Sequence, residues 1–386
     1  MPNPYSMATD AFCLDPYPVL TSLREEAPLH WHEEGYWTLS RYADVEQGVK
    51  NHAAFSNLGA VYTRAGRNPG TYAPEMSVRR LSARDQPSHT GLRRLMAKVF
   101  TPRSLVAVKP QIEAIVEELL AEMRGKQRAG EPLDFTRDFS YPLTVLSINL
   151  ILGVPESIRN VYRNYTTAVD DAMGEYFKDL VRHKEKHPGE DMTSDLIQAA
   201  KAGHEYLRLD EVHYYLGALW TGGNWTTTMH LSNGMARLQL QPEVRDALRR
   251  DPTLVPSFVE ESLRYDPPVL FTAKTALADV EMHGQTIRKG DVINFLYAAA
   301  NRDPRAFEAP ERFDLRRQPN RHLAFSEGIH HCIGAPLARM ESVAAFERLM
   351  RDDVGLEVDP ARGLKRADPI TPNLYGYREL PARLAA

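Results

Sequence analysis

The chain has 386 residues, 43% hydrophobic and 25% charged, a balance that excludes a disordered or fibrous protein and fits a fold with a large core. Forty-seven basic against fifty-one acidic residues leave a formal charge of -4, with no basic excess to hold nucleic acid and no basic run beside an amphipathic anchor. Two cysteines, Cys13 and Cys332, cannot staple a chain of this size, form no CxxC pair, and point to a reducing cytoplasm.

The first residues are polar and proline-punctuated, unlike a signal peptide, and no run approaches the ~18 apolar residues of a membrane span. Further on, Leu29-His30-Trp31 and Tyr36-Trp37-Thr38-Leu39 flank a polar turn at Glu34-Gly35 and predict a hairpin, with a helix over 42–51 behind it. From about Ser88 to Leu240 the apolar spacing is mostly helical, as over 110–124, with breaks at Gly130-Glu131-Pro132 and Gly153-Val154-Pro155. His89 and Arg93 stand one turn apart behind Asp85-Gln86-Pro87, so both reach one side of a helix.

A long helix over roughly 210–240 carries Gly222, Gly223 and the threonines Thr221, Thr226, Thr227 and Thr228 in its middle. Glycine costs about 1 kcal/mol against alanine there and threonine bonds back to the preceding turn, so a local distortion beside a ligand is expected. Glu261 and Arg264 share one face of a helix that ends before Asp266-Pro267-Pro268. Strands are predicted over 269–275, over 280–282 and 285–287 around His283-Gly284, and over 292–296. With no repeats and no linker, one domain over 1–386, mainly α with a minor β-sheet, is the expected architecture.

The most informative stretch runs from His322 to Arg339 and places Cys332 just before an amphipathic run over 336–350. Free N–H groups and the positive dipole end of a helix stabilise a thiolate, which makes this sulfur a nucleophile or an iron ligand. Gly328 and Gly334 bracket it, allowing positive φ and close approach of the backbone to a flat cofactor. Phe325 is placed to pack beside the sulfur and exclude water, and Pro336 suits a first helical turn. Phe325, Gly328, His330, Cys332 and Gly334 spell F-x-x-G-x-[RH]-x-C-x-G, and on these residues the chain resembles the cytochrome P450 family. HxxxR at His89 and Arg93, ExxR at Glu261 and Arg264, Pro310-Glu311-Arg312-Phe313 and then the cysteine keep the family's order over about 250 residues.

The resemblance implies a single-domain cytochrome P450 fold holding haem b, with Cys332 as the axial thiolate ligand of the iron. It implies that His330, His89, Arg93 and Lys274 meet the haem propionates, Lys274 supplying a point charge where the family more often has an arginine fork. Phe325 and Gly334 adjoin the haem, while Glu261, Arg264 and Arg312 form a buried charge network bracing the cysteine loop. Thr226 corresponds to the threonine that steadies dioxygen and donates in the proton relay. Trp225 stands where most relatives have Asp or Glu, and an indole cannot shuttle protons at neutral pH. Either Asn224, Thr226 and water carry protons, or the substrate supplies a polar group. Trp225, Val269, Leu270, Phe271, the segment 62–78 and Leu374 are expected to edge the substrate cavity.

Between Gly153-Val154-Pro155 and Pro188-Gly189 only about 30 residues remain, so the roof over that cavity is about twenty short of the family's two helices and loop. A trimmed roof suits a long or tethered substrate; loss of a loop alone is the other explanation. The expected activity is oxidation of an organic substrate in specialised metabolism, using O2 and two electrons from a separate ferredoxin-type donor and its reductase. Oxidative coupling of phenol or indole groups in a peptide or other large substrate is favoured, with hydroxylation of a small molecule as the alternative; a haem sensor or electron carrier is a different class. Arg93, Arg94, Lys98, Arg103 and Arg339 offer an acidic ferredoxin a basic patch. Neither nucleic acid nor membrane is an expected partner, and a monomer is expected. His183 and His187 lack HExxH and read as a solvated helix.

Overall fold

The computed structural model describes residues 5–58, 80–161, 163, 171–367 and 373–385, with backbone alone at 171 and 172. Helices α1 (Asp10–Leu14) and α2 (Tyr17–Glu26) lead into the hairpin of β1 (Leu29–His32) and β2 (Tyr36–Leu39), then α3 (Tyr42–Lys50) and β3 (Phe55–Ser56). The expected hairpin and helix are therefore present. The helical half follows: α4 (Ser88–Met96), α5 (Pro102–Arg128), β4 (Leu133–Asp134), α6 (Tyr141–Leu152), α7 (Asp171–Lys186), α8 (Met192–Lys201), α9 (Val212–Leu240), α10 (Pro242–Arg250) and α11 (Val255–Tyr265). Next come β5 (Thr272–Ala276), β6 (Val280–Met282), β7 (Gln285–Ile287), β8 (Val292–Phe295), the short α12 (Tyr297–Ala300) and α13 (Ala335–Leu349). The chain closes with β9 (Leu356–Val358), β10 (Leu364–Ala367), β11 (Tyr375–Glu379) and β12 (Pro381–Leu384).

The main sheet has the order β1-β2-β8-β5-β3, with β2 and β8 parallel and the other pairs antiparallel. Lys274 sits opposite Ile293 in the β5–β8 pair. The strand predicted from 269 begins at Thr272, and Val269 instead forms an isolated antiparallel bridge with Leu374.

Helix α9 organises the helical half. Buried residues occur all around it, including Tyr215, Leu216, Trp220, Met229, Leu231 and Met235, as a helix enclosed by other elements requires. It packs on α6, α7, α11, α13 and β11. The expected distortion is not observed, for α9 runs unbroken through Gly222 and Gly223, and Thr221 and Thr226 bond the carbonyls of Gly217 and Gly222 without interrupting it. Packing from all sides outweighs the local cost of two glycines. Helix α6 ends at Gly153, whose φ of +75 tolerates no ordinary side chain and whose Cβ would strike Asp191, the N-cap of α8.

Candidate active site

Cys332 does not sit at the helix start itself. Gly334 is the N-cap and α13 begins at Ala335, one residue earlier than the predicted run. The Cys332 N–H donates to the Phe325 carbonyl at 2.8 Å, closing a loop in which Gly328 has φ +73 and lies so close to Lys50 that a Cβ would come within 3.2 Å of its Cα. Gly334 has φ -83 and makes no left-handed turn, and a Cβ there would stand 3.9 Å from the sulfur, an ordinary contact. The residue is exposed, yet crowding by protein raises the thiol; backbone N–H groups of Gly334 and Ala335 and the charges of Arg93 and Arg339 oppose that rise. An accessible sulfur facing helix-start N–H donors is built to carry a thiolate on a metal.

Beside it stands a cluster of basic groups. The His89 ring lies 4.1 Å from that of His330, centroid to centroid. His89 is buried, and neither of its ring nitrogens has a hydrogen-bond partner. Burial and then the charge of Arg93 hold His89 down at about 4; burial and then His89 hold His330 at about 3. Lys274 is buried and donates to the Val49 carbonyl at 3.0 Å, with burial lowering it to about 8. Arg93 is half-buried without an acidic partner among the described residues. Four basic side chains and two orphaned buried nitrogens outweigh the Asp85 carboxylate that acts on His89 and Lys274, and leave a site suited to an anion. The paired propionates of a haem match it, and the Cys332 sulfur beside it is accessible. These residues fit the group that the cysteine motif implies.

Glu261 and Arg264 are brought together as expected, joined by two bonds of 2.8 Å with both side chains essentially buried. The third member is not Arg312, whose side chain is 70% exposed and pairs with Asp314 on the surface. Arg317 takes the place, its Nε 3.1 Å from Glu261, and Asn320 and the Asp314 N–H fill the remaining acceptor sites of that carboxylate. Only the Arg312 carbonyl participates, accepting from Arg264 and Arg317. Three arginines crowd the segment 312–317, and spacing alone does not tell which one the chain turns inward.

On α9, Gly222 is exposed with nothing within 4 Å of its Cβ position, and Thr226, one turn on, is half-exposed. This pair forms an open face on an otherwise enclosed helix, a feature foreshadowed by the mid-helix glycine. Thr226 Oγ1 donates to the Gly222 carbonyl at 2.8 Å, so the hydroxyl presents acceptor lone pairs to the open side. Asn224 does not join it. Its side chain is buried and accepts from Thr144 and Thr228, which commits it to the α6 contact and corrects its assignment to a proton relay. Trp225 packs 5.1 Å from the ring of Tyr141, with the Arg378 guanidinium 5.4 Å over its indole.

Among the expected cavity-edge residues, Val269 and Leu374 are half-buried and bridged to each other. Leu270 and Phe271 are corrected to core positions: they pack with Phe12, Leu20, Leu23 and Leu296 beneath the sheet and have almost no accessible surface. The segment 62–78 lies outside the described residues. The roof contains one described α-helix, α7, of 16 residues, preceded by a short 3-10 turn at Glu156–Ile158. Arg94, Lys98 and Arg103 are exposed and carry no ion pair among the described residues, whereas Arg339 is engaged with Glu260. No described helix is long and apolar enough to cross a membrane.

Known proteins resemble this chain in sequence and in fold. The family profile described as Cytochrome P450 matches residues 138–360. The chain is 39% identical over 283 residues to Cytochrome P450 CYP107DY1 of Priestia megaterium, covering 69% of this chain and 68% of that one. The solved structure of Cytochrome P450 CYP109Q5 from Chondromyces apiculatus superposes with a TM-score of 0.86 at 29% identity, covering 98% of each chain. That of HmtN, a post-tailoring hydroxylase involved in himastatin biosynthesis, has a TM-score of 0.83 at 28% identity and covers 96% of this chain and 98% of its own. With an accessible cysteine before α13, a basic anion-seeking cradle and the ExxR brace all in place, the chain belongs to the cytochrome P450 family of haem-thiolate monooxygenases.

Proposed function

We propose that this monooxygenase tailors a bulky or tethered specialised metabolite. The observation that carries the substrate class is the roof: only about 30 residues lie between Gly153-Val154-Pro155 and Pro188-Gly189, with α7 as the α-helix among the described ones, where the family generally places two helices and a loop, and a shorter cover admits a longer ligand. When bound, haem with an axial thiolate supplies the activation of dioxygen. Cys332 would ligate the iron, and His89, Arg93, His330 and Lys274 would neutralise the propionates. Phe325 and Gly334 shape the approach to the sulfur. Thr226 positions a hydrogen bond on the open face of α9, and Val269 and Leu374 supply apolar contacts that orient substrate. Exposed Arg94, Lys98 and Arg103 suit an acidic ferredoxin-type electron donor served by its own reductase, a soluble arrangement that a cytoplasmic monomer would use.

Hydroxylation is the reading supported by likeness to HmtN. Oxidative coupling of phenol or indole groups in a peptide is a second reading, favoured by a specific observation: among the described residues no carboxylate bonds Thr226, Trp225 stands beside it in the sequence and Asn224 is committed to α6. Mass spectrometry of products from turnover with a surrogate ferredoxin and reductase tests both. Gain of one oxygen supports hydroxylation and loss of two hydrogens supports coupling. Failure of every long or tethered aromatic substrate alongside efficient turnover of small ones would sink the substrate class.

A further inference from the structure

Two adjacent acids on α11 face opposite tasks. Glu261 points to the buried Arg264 and Arg317, whereas Glu260 reaches the cysteine loop from outside. Its carboxylate accepts from Arg339 twice, Nε at 2.7 Å and Nη2 at 3.0 Å, and from His322 Nε2 at 3.1 Å. The Ala324 N–H donates to His322 Nδ1 at 3.3 Å, which leaves the imidazole proton on Nε2 and aimed at Glu260. His322 and Arg339 bracket the whole cysteine loop, one before Phe325 and the other within α13. A single carboxylate thus clasps both ends of that loop.

The clasp has an electrical consequence. Held by Glu260, the Arg339 guanidinium lies 4.5 Å over the Phe325 ring, and the Phe325 carbonyl is the acceptor of the Cys332 N–H. Arg339 thus sets a positive charge against the residue whose carbonyl holds the Cys332 N–H, and Glu260, bonded to that guanidinium, sets the opposite charge beside it. His230 of α9 is buried close enough to feel Glu260, His322 and Arg339; burial keeps it neutral, so it adds bulk without charge. Nothing in an i,i+3 pattern or in the cysteine motif requires this arrangement.

We propose that Glu260 is a positioning residue that sets the reduction potential of the haem iron by fixing, and partly neutralising, Arg339 behind the cysteine loop. This rests on the haem-thiolate assignment. A cation near the sulfur withdraws electron density from the thiolate and favours the reduced iron, and its partner acid moderates the effect. The test is spectroelectrochemical titration of the ferric/ferrous couple in the holoenzyme, with the absorption band of the reduced carbon monoxide complex recorded in parallel. Arg339→Met is expected to shift the midpoint to more negative values, and the near-isosteric Glu260→Gln to more positive ones. Arg339→Lys, which keeps the charge but loses the fork, is expected to stay nearer the wild type than Arg339→Met. A merely structural clasp would move the Met and Gln variants in the same direction, with loss of the thiolate band. That result, unchanged potentials, or any other pattern overturns the proposal. Absence of the thiolate band from the unmodified protein would instead strike the haem-thiolate assignment beneath it.

Discussion

Glu261 receives the Nε of Arg317 at 3.1 Å while both side chains are shielded from solvent, so the brace under the cysteine loop is closed by a residue 56 positions away. Arg317 also bonds the carbonyls of Glu308, Ala309 and Arg312, which means it ties together the segment leading into the loop. Breaking a buried pair leaves an uncompensated charge and costs about 3–5 kcal/mol. Arg317→Met will therefore lower unfolding stability by about that amount and reduce haem content. Arg312→Ala removes only a surface pair and leaves its backbone carbonyl in place, so its effect stays within about 0.5 kcal/mol. Denaturant unfolding of the two variants, with haem quantified, decides between them.

Lys274 gives haem uptake a pH dependence. Burial lowers its ammonium to about 8, so the apoprotein loses that positive charge as pH rises through this value. Propionates held beside it would raise the same group, and binding above about pH 8 would then take up a proton. Affinity for haem is accordingly highest below about pH 8 and falls as pH rises beyond it. Lys274→Arg keeps its charge throughout and will flatten the upper limb of the profile. Equilibrium titration of apoprotein with haem between pH 7 and about 10 checks the sign; an identical slope in both proteins refutes the role of Lys274.

What could be read beforehand depended on how local the determinants are. The cysteine loop, the ExxR pair and the HxxxR face lie in short segments with fixed spacing, and the β6–β7 hairpin follows from its strand residues and from the turn at His283-Gly284, both with positive φ. Arg317, Leu270 and Asn224 were not legible, because each depends on which way a side chain turns between packed elements. Leu270 and Phe271 look like any apolar run after a proline pair, and only the partners Phe12 and Leu23, far away in the chain, make them core. Asn224 is polar in the middle of a glycine-rich helix, and the Thr144 hydroxyl that claims it comes from α6.

Thr226 bears a hydroxyl whose proton is given to Gly222 and whose lone pairs face the open side of α9. With no carboxylate bonded to it among the described residues, this hydroxyl is expected to organise protons during turnover. Thr226→Ala will raise the share of electrons lost to reduced oxygen at the expense of product, because a positioned proton-transfer group is removed. Thr226→Ser retains the hydroxyl and will keep coupling close to that of the parent. The ratio of product formed to NADPH consumed, with peroxide measured alongside, is the readout. Equal coupling in the alanine variant removes Thr226 from proton delivery.

The segment between α6 and α7 is held down by charge. Arg159 bonds Glu118 of α5 at 3.0 Å, and Arg163 bonds Glu118 at 3.2 Å and also Glu122. Arg163 is only 11% exposed, so this small network is screened by solvent less than an ordinary surface pair. Losing about 1 kcal/mol on Glu118→Gln shifts the opening equilibrium of the segment about 5-fold. Hydrogen exchange over residues 153–161 will accelerate by that factor, and KM will change more than kcat, since the network touches entry rather than chemistry. High salt will reproduce part of the effect in the parent and little in the variant, which separates an ionic latch from a packing defect: a variant that remains equally salt-sensitive has lost packing, and the latch is then elsewhere.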